Sequence, residues 1–163
     1  MVFLPKVLAE ELEKKAKALG VSVSELLFSL VVGGSDPEGP AKYLSGALEL
    51  LEQAKREVEG GDLRQASEKI WGSCALAIKA YALAKEGRKL ESHSELWVYK
   101  NYVAAELGEW VKVAFRQADS MHKNFYENQA TKEDVEDVLK EVERLVKTVA
   151  ENIKNLQENQ PKS

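Results

Sequence analysis

One stretch of the sequence places a permanent positive charge close to a group that exchanges protons near neutral pH. Arg116 and His122 are the first and last residues of the run RQADSMH. Histidine titrates near neutral pH and can remove or donate a proton. The arginine guanidinium stays charged and can stabilise developing negative charge through paired hydrogen bonds. This pair therefore suits acid–base chemistry in which negative charge develops in the transition state.

The spacing of the pair limits how it can work. Six residues of straight helix separate Arg116 from His122 by about 120° around the axis and about 9 Å along it. We expect the two to share a site only if the helix ends or distorts near His122, as Asn124 suggests, or if a second subunit completes the site. In the structural alternative, Arg116 pairs with Glu68 or Asp119, and His122 stabilises a helix C-terminus.

Helices must position these residues, because helix signals dominate the sequence. Apolar residues recur at spacings of three and four, and Ser or Thr followed three residues later by an acid or amide marks several helix starts. The long apolar run in the middle predicts a central helix. We predict an all-α fold in which an antiparallel bundle of four to five helices follows a short helical hairpin. The predicted helices span about 6–19, 22–32, 41–58, 63–85, 92–102, 109–122 and 131–156.

A break in the helical pattern divides the chain. Residues 33–40 contain three glycines and two prolines, a density that neither helix nor strand tolerates. We therefore predict an N-terminal dimerisation or docking segment at 1–34 and a linker at 35–40. The helical bundle is predicted at 41–157, with a frayed tail at 158–163.

The N-terminal segment resembles a ribbon-helix-helix unit over residues 2–32. The resemblance is carried by Phe3-Leu4-Pro5, by Gly20 and by the run SVSELL at 22–27. It implies a short strand that pairs with the same strand of a second chain, followed by two helices. Because the strand offers only apolar side chains at residues 1–3, where DNA-binding members use polar and basic ones, we expect dimerisation or docking. DNA binding, as a transcriptional regulator, is the weaker alternative.

The bundle resembles the HEPN family, in its archaeal PaREP-type branch. The resemblance is carried by GDLRQASEKIWG at 61–72, by residues 116–122 and by HKNFYE at 122–127, and it covers roughly 40–155. It implies that two bundles pair as a homodimer, so that the arginine and histidine of both chains line one composite cleft. In active members this cleft cuts RNA without a metal, and the ribose 2′-hydroxyl is the nucleophile.

The resemblance also implies roles for individual residues. Arg116 and His122 are the expected catalytic residues, with Glu68, Gln117 and Asn124 as expected substrate-binding residues. Glu68 is equally well explained as an ordinary exposed carboxylate, and Gln117 stands where asparagine is common in the family. The predicted function is that of a metal-independent endoribonuclease or an RNA- or nucleotide-binding HEPN protein. The alternative is a non-catalytic dimeric scaffold, or the partner of a nucleotidyltransferase in a toxin–antitoxin-like pair.

Composition excludes several other classes of protein. A net charge of −4 does not fit a protein that binds nucleic acid through bulk positive charge. The single cysteine, Cys74, cannot form an internal disulfide, and two histidines far apart in sequence predict no metal site and no cofactor. His93 is interpreted as part of a helix-capping loop, and Lys69 and Lys79 as solvated side chains. No signal peptide or apolar run of about 18 residues is visible, which favours a cytoplasmic protein without membrane partners.

Overall fold

All regular structure in the computed structural model is helical within residues 3–160, the part of the chain that the structure describes. The all-α prediction is therefore confirmed. This part contains seven helices, more than the four to five predicted for the bundle. Two of the seven belong to the N-terminal segment, and five follow residue 38. The helices are α1 (Lys6–Leu19), α2 (Val23–Val31), α3 (Gly39–Glu59), α4 (Leu63–Glu86), α5 (His93–Leu107), α6 (Trp110–Glu127) and α7 (Lys132–Glu158).

Local sequence signals set most of the helix ends. Reciprocal capping boxes start three helices, at Ser22 with Glu25, Ser92 with Glu95 and Thr131 with Asp134. Gly20 ends α1 with a positive φ of 71°, a conformation that costs glycine little. Helix α3 already begins at Gly39, inside the predicted linker.

Helix α6 is longer than predicted. It runs without a break to Glu127 and ends where Asn128 adopts a left-handed conformation with φ of 51°. The expected ending near His122 is therefore wrong. The backbone of α6 keeps Arg116 and His122 on one continuous helix.

Helix α4 is the centre of the bundle, because it is apolar on nearly every side. It packs against α3, α6 and α7, and every residue from 70 to 83 is buried. The predicted core residues are all fully buried: Ile70, Cys74 and Ile78 on α4, with Leu145 and Val149 on α7.

Helix α2 joins the N-terminal segment to the bundle through a buried charge. Glu25 accepts a hydrogen bond of 3.0 Å from the indole N–H of Trp71, and its other carboxylate oxygen lies 3.5 Å from Lys79 Nζ. The side chains of Glu25 and Lys79 are 0% and 3% exposed. The interpretation of Lys79 as a solvated side chain is therefore wrong, because α2 delivers a carboxylate to its ammonium group. Nearby, the Phe28 ring packs against Tyr43 at 5.2 Å between centroids.

The predicted N-terminal strand is not seen in the described residues. Phe3, Leu4 and Pro5 form no regular secondary structure, and no strand occurs anywhere in 3–160. Met1 and Val2, which belong to the same prediction, lie outside the described residues. None of the helices within 3–160 has the length and apolar character needed to cross a membrane.

Candidate functional site

His122 is held by a carboxylate of the central helix. Its Nδ1 atom lies 3.2 Å from each carboxylate oxygen of Glu68, so α6 and α4 are joined by an ion pair when the histidine is protonated. The two side chains are 12% and 16% exposed. The pair is therefore largely shielded from water. The other ring nitrogen of His122, Nε2, makes no hydrogen bond to Glu68.

The second histidine is also held by a carboxylate. Nε2 of His93 lies 3.0 Å from Oδ1 of Asp119 and 2.9 Å from the indole nitrogen of Trp97. This atom can either donate a hydrogen bond to Asp119 or accept a hydrogen bond from Trp97. A hydrogen bond to a charged acceptor is the stronger of the two, so we assign the proton to Nε2, and the Trp97 N–H then loses this acceptor. The lone pair then lies on Nδ1, which is buried without a hydrogen-bond partner in the described residues.

The fold brings these two histidines together, although 28 residues lie between them. Their ring centroids are 6.2 Å apart, and both rings lie against the indole of Trp71, at 5.2 Å for His93 and 5.7 Å for His122. We call His93, His122, Glu68, Asp119 and Trp71 the histidine cluster. It contains two imidazole–carboxylate pairs, which is an arrangement suited to moving two protons.

Charges within the cluster shift the pKa values of its members. Burial lowers the pKa of His122, but the hydrogen bond and charge of Glu68, with weaker contributions from Glu25 and Asp119, raise it above the usual value. Burial raises the pKa of Glu68, and the bond to His122 offsets this only in part. The pair therefore keeps a proton at pH values where a free histidine loses it.

Asp119 behaves in the opposite way. Burial raises the pKa of its carboxyl group, but the hydrogen bond from His93 and the charges of His93 and Lys123 outweigh burial and lower it. Asp119 is consequently ionised near neutral pH. This supports its role as the acceptor of the Nε2 proton of His93.

Arg116 does not join the cluster within one chain. Its side chain is exposed on α6. Burial lowers the pKa of Lys100 on α5, and the charge of Arg116 lowers it further. The unbroken α6 keeps it about 9 Å along the axis from His122. The alternative pairing of Arg116 with Glu68 or Asp119 is not formed in the described residues, because those carboxylates pair with the histidines.

Of the other predicted site residues, Asn124 has a structural role. Its side-chain amide donates to Ser67 Oγ at 2.9 Å, and its Oδ1 accepts from the backbone N–H groups of Gln129 and Ala130 at 2.7 and 2.8 Å. These bonds hold the turn between α6 and α7 and occupy the groups that would contact a substrate. Gln117 is half-buried, and its Oε1 has no hydrogen-bond partner in the described residues.

A groove opens beside the cluster, between the α1–α2 hairpin on one side and α4 with the end of α6 on the other. Its volume is about 580 Å³, within the range of small-molecule sites. Glu68 lines it and so connects it to His122, and Tyr126 lies at 5.7 Å from the His122 ring between centroids. Nowhere in residues 3–160 do three or more His, Cys, Asp or Glu side chains converge as metal ligands.

The sequence prediction did not place His93 or Asp119 in the site: it interpreted His93 as part of a helix-capping loop and gave Asp119 only as a possible partner of Arg116. Asp119 lies three residues before His122, almost one helical turn away, so its presence near the site could have been inferred. Nothing local marks His93, because its contact depends on how α5 packs against α6.

Comparison with known proteins identifies a family for most of the bundle. The model of the archaeal PaREP1/PaREP8 family matches residues 42–146. No curated protein and no solved structure matches the chain. The matched range includes every member of the histidine cluster and ends before the C-terminal part of α7.

Proposed function

This chain belongs to the archaeal PaREP1/PaREP8 family, and we propose that it is a metal-independent endoribonuclease of the HEPN type. The observation that carries the proposal is the pair of histidine rings, 6.2 Å apart, each bonded to its own carboxylate. Cleavage of RNA by its own 2′-hydroxyl needs one group that removes a proton and another that supplies one. Two histidines in different electrostatic surroundings can divide these tasks.

His122 is the general acid in this proposal. Because Glu68 raises the pKa of His122 above its usual value, His122 holds its proton at higher pH than a free histidine does. It gives its proton to the 5′-oxygen as the bond between that oxygen and phosphorus breaks. Glu68 then stabilises the geometry of the ring rather than exchanging the proton itself.

His93 is the general base. With its Nε2–H hydrogen-bonded to Asp119, His93 carries its lone pair on Nδ1. That atom is buried within one chain, so the ring must move to expose it before it takes the proton of the 2′-hydroxyl as that oxygen attacks phosphorus. The products are a 2′,3′-cyclic phosphate and a 5′-hydroxyl end. Each histidine finishes in the protonation state in which the other began, so a second proton exchange with water restores the site.

Arg116 of the partner subunit completes the site in a homodimer. An exposed guanidinium is available to a second chain and can stabilise the charge on the phosphorane-like transition state. Helices α5 and α6 also expose apolar side chains, Val98, Tyr102 and Val113, each more than half accessible. Exposed apolar residues on packed helices favour an interface with another protein surface, and these support pairing on the side that bears Arg116.

One observation favours a second candidate, a non-catalytic dimeric scaffold such as the partner of a nucleotidyltransferase in a toxin–antitoxin-like pair. The side chain of His122 is only 12% exposed, and Glu68 satisfies its Nδ1. A shielded ion pair of this kind can hold α6 on α4 without any chemistry. In that case the two histidines serve stability alone.

Cleavage of single-stranded RNA in EDTA separates the two candidates. We expect the intact chain to cut RNA, and His122→Asn, His93→Asn and Arg116→Ala each to lower the rate about 100-fold. Arg116→Lys should restore little, because an ammonium group cannot reproduce the planar guanidinium. Arg56→Ala, at an exposed position on α3, is the matched control and should cut RNA normally. Uncut RNA with a folded, dimeric protein would favour the scaffold.

A further inference from the structure

The groove beside the histidine cluster has an apolar floor and a charged rim. Leu12, Val21 and Leu50 belong to the floor, which α1, the α1–α2 turn and α3 contribute. The rim carries four cationic side chains, two from α1 and two from α4: Lys14, Lys17, Arg64 and Lys69.

Two of these four cations are already neutralised by acids. Lys14 lies 3.1 Å from Glu11, and Lys69 lies 2.7 Å from Glu57. Lys17 and Arg64 have no acidic side chain within ion-pair distance in residues 3–160. They are therefore the cations of the rim that remain available to an anionic ligand.

Lys17 and Arg64 converge on the end of α6 from two different helices. The Lys17 ammonium lies 5.2 Å from the Tyr126 ring centroid, and the Arg64 guanidinium carbon lies 4.8 Å from that of Phe125. The two rings are 5.0 Å apart. The Nε–H of Arg64 donates to the backbone carbonyl of Phe125, which fixes the guanidinium and leaves its terminal nitrogens unused.

This pair of cations lies next to the reactive groups. Tyr126, under Lys17, contacts the His122 ring, and Glu68 lines the groove while it bonds to His122. An anion held by the two cations would therefore lie beside the cluster rather than on it. In a bound RNA strand, the phosphate next to the cleaved one would lie in this position, beside the cluster.

We propose that the groove binds the backbone of single-stranded RNA on one side of the cleaved bond, with Arg64 and Lys17 contacting a neighbouring phosphate. The identity of the ligand rests on the proposed function, whereas the charge and position of the site do not. The apolar floor accommodates the sugar and base. Contacts of this kind do not depend on hydrogen bonds that identify the base. Binding is expected to be weakly dependent on sequence and strongly dependent on salt.

The acidic side chains of the rim supply an internal check. Glu10 lies 3.8 Å from Lys6, whereas Glu13 faces Tyr126, where its charge joins burial and Glu68 in raising the pKa of that phenol. A negative charge at this place opposes a bound phosphate. Glu13→Gln should therefore tighten binding, the opposite sign from loss of either cation.

Binding can be measured without cleavage by fluorescence anisotropy of a labelled 2′-O-methyl oligoribonucleotide, which lacks the nucleophile. We expect Arg64→Ala and Lys17→Ala each to weaken binding by the intact chain about tenfold, and each to reduce the salt slope by about 0.7 per lost contact. Arg56→Ala and Lys15→Ala are matched controls, because both are exposed and neither lines the groove. Both should bind the oligonucleotide like the unchanged chain.

The outcomes separate the groove from the catalytic proposal. If only Arg64→Ala and Lys17→Ala weaken oligonucleotide binding, and the unchanged chain does not cleave unmodified RNA, the groove proposal stands and the nuclease proposal is refuted. Normal cleavage and normal KM in both groove variants would retain the nuclease and refute the groove. Equal weakening by all four alanine variants, or no binding by the unchanged chain, would also refute the groove.

Discussion

The buried ion pair between Glu25 and Lys79 makes a strong prediction about stability. In Glu25→Ala, Lys79 keeps its place on α4 with a 3% exposed side chain and no carboxylate 3.5 Å away. Removing one partner of a buried ion pair costs about 3–5 kcal/mol, because the remaining charge stays out of water. The same substitution also removes the acceptor for the Trp71 N–H and half of the capping box that starts α2. We therefore expect a loss at the upper end of that range.

Urea unfolding followed by helical circular dichroism measures this loss. With an m-value of about 2 kcal/mol/M, a loss of about 5 kcal/mol moves the midpoint by about 2.5 M. In Glu25→Met combined with Lys79→Met, part of the stability should return, since no buried charge is left unpaired, whereas the acceptor for the Trp71 N–H and the capping box stay lost. Glu136→Gln, which breaks an exposed pair with Lys132, is the control and should cost at most about 1 kcal/mol.

Two results would refute the reasoning about this pair. One is a loss below about 1 kcal/mol in Glu25→Ala, which would mean that Lys79 reaches water in the folded chain. The other is a double variant no more stable than Glu25→Ala, which would assign the loss to packing instead of charge.

Three further predictions concern the His122–Glu68 pair and the packing of α2 against α3. In Glu68→Gln, the pKa of His122 measured by NMR should fall below that of the unchanged chain, because burial then acts without the opposing carboxylate; an unchanged value would contradict the pairing. Because the folded pKa of His122 is raised, its contribution to unfolding free energy is full below about pH 6.5 and is lost as pH rises through the folded pKa. Denaturation at several pH values should show this loss in the unchanged chain and much less of it in Glu68→Gln. Gly46→Ala would bring a methyl group to 2.4 Å from the Phe28 ring and should cost about 1–3 kcal/mol, whereas Gly33→Ala, with nothing within 4 Å, should be tolerated on thermal unfolding.

The helices could be predicted because their signals are local. Ser22 with Glu25, and Thr131 with Asp134, each lie three residues apart and start helices through bonds within one turn. The central position of α4 was likewise evident from its apolar residues on every side. The end of α6 was misjudged because Asn124 and Asn128 are both residue types that end helices. The first instead uses its side chain to hold the following turn, and the second adopts the left-handed conformation.

The site was only half predictable for a different reason. His122 and Glu68 were expected, because the run around each resembles a known family. His93 had no such context, and its contact with Asp119 depends on the packing of α5 against α6. The burial of Lys79 depends in the same way on Glu25, which lies 54 residues earlier on a helix of the N-terminal hairpin. Side-chain pairs that join distant segments leave no periodic pattern in a single sequence.

The most direct test of the proposed chemistry uses a DNA oligonucleotide that contains a single ribonucleotide, incubated with the intact chain in EDTA and analysed by mass spectrometry. We expect one cut, after the ribonucleotide, that leaves a 2′,3′-cyclic phosphate on one fragment and a 5′-hydroxyl on the other. His122→Asn and His93→Asn should give at least about 100-fold less of both fragments. The same oligonucleotide with a 2′-O-methyl ribose should stay intact. Cleavage of the methylated substrate, a 5′-phosphate end, or ribonucleotide substrate left intact by the unchanged chain would contradict the proposal.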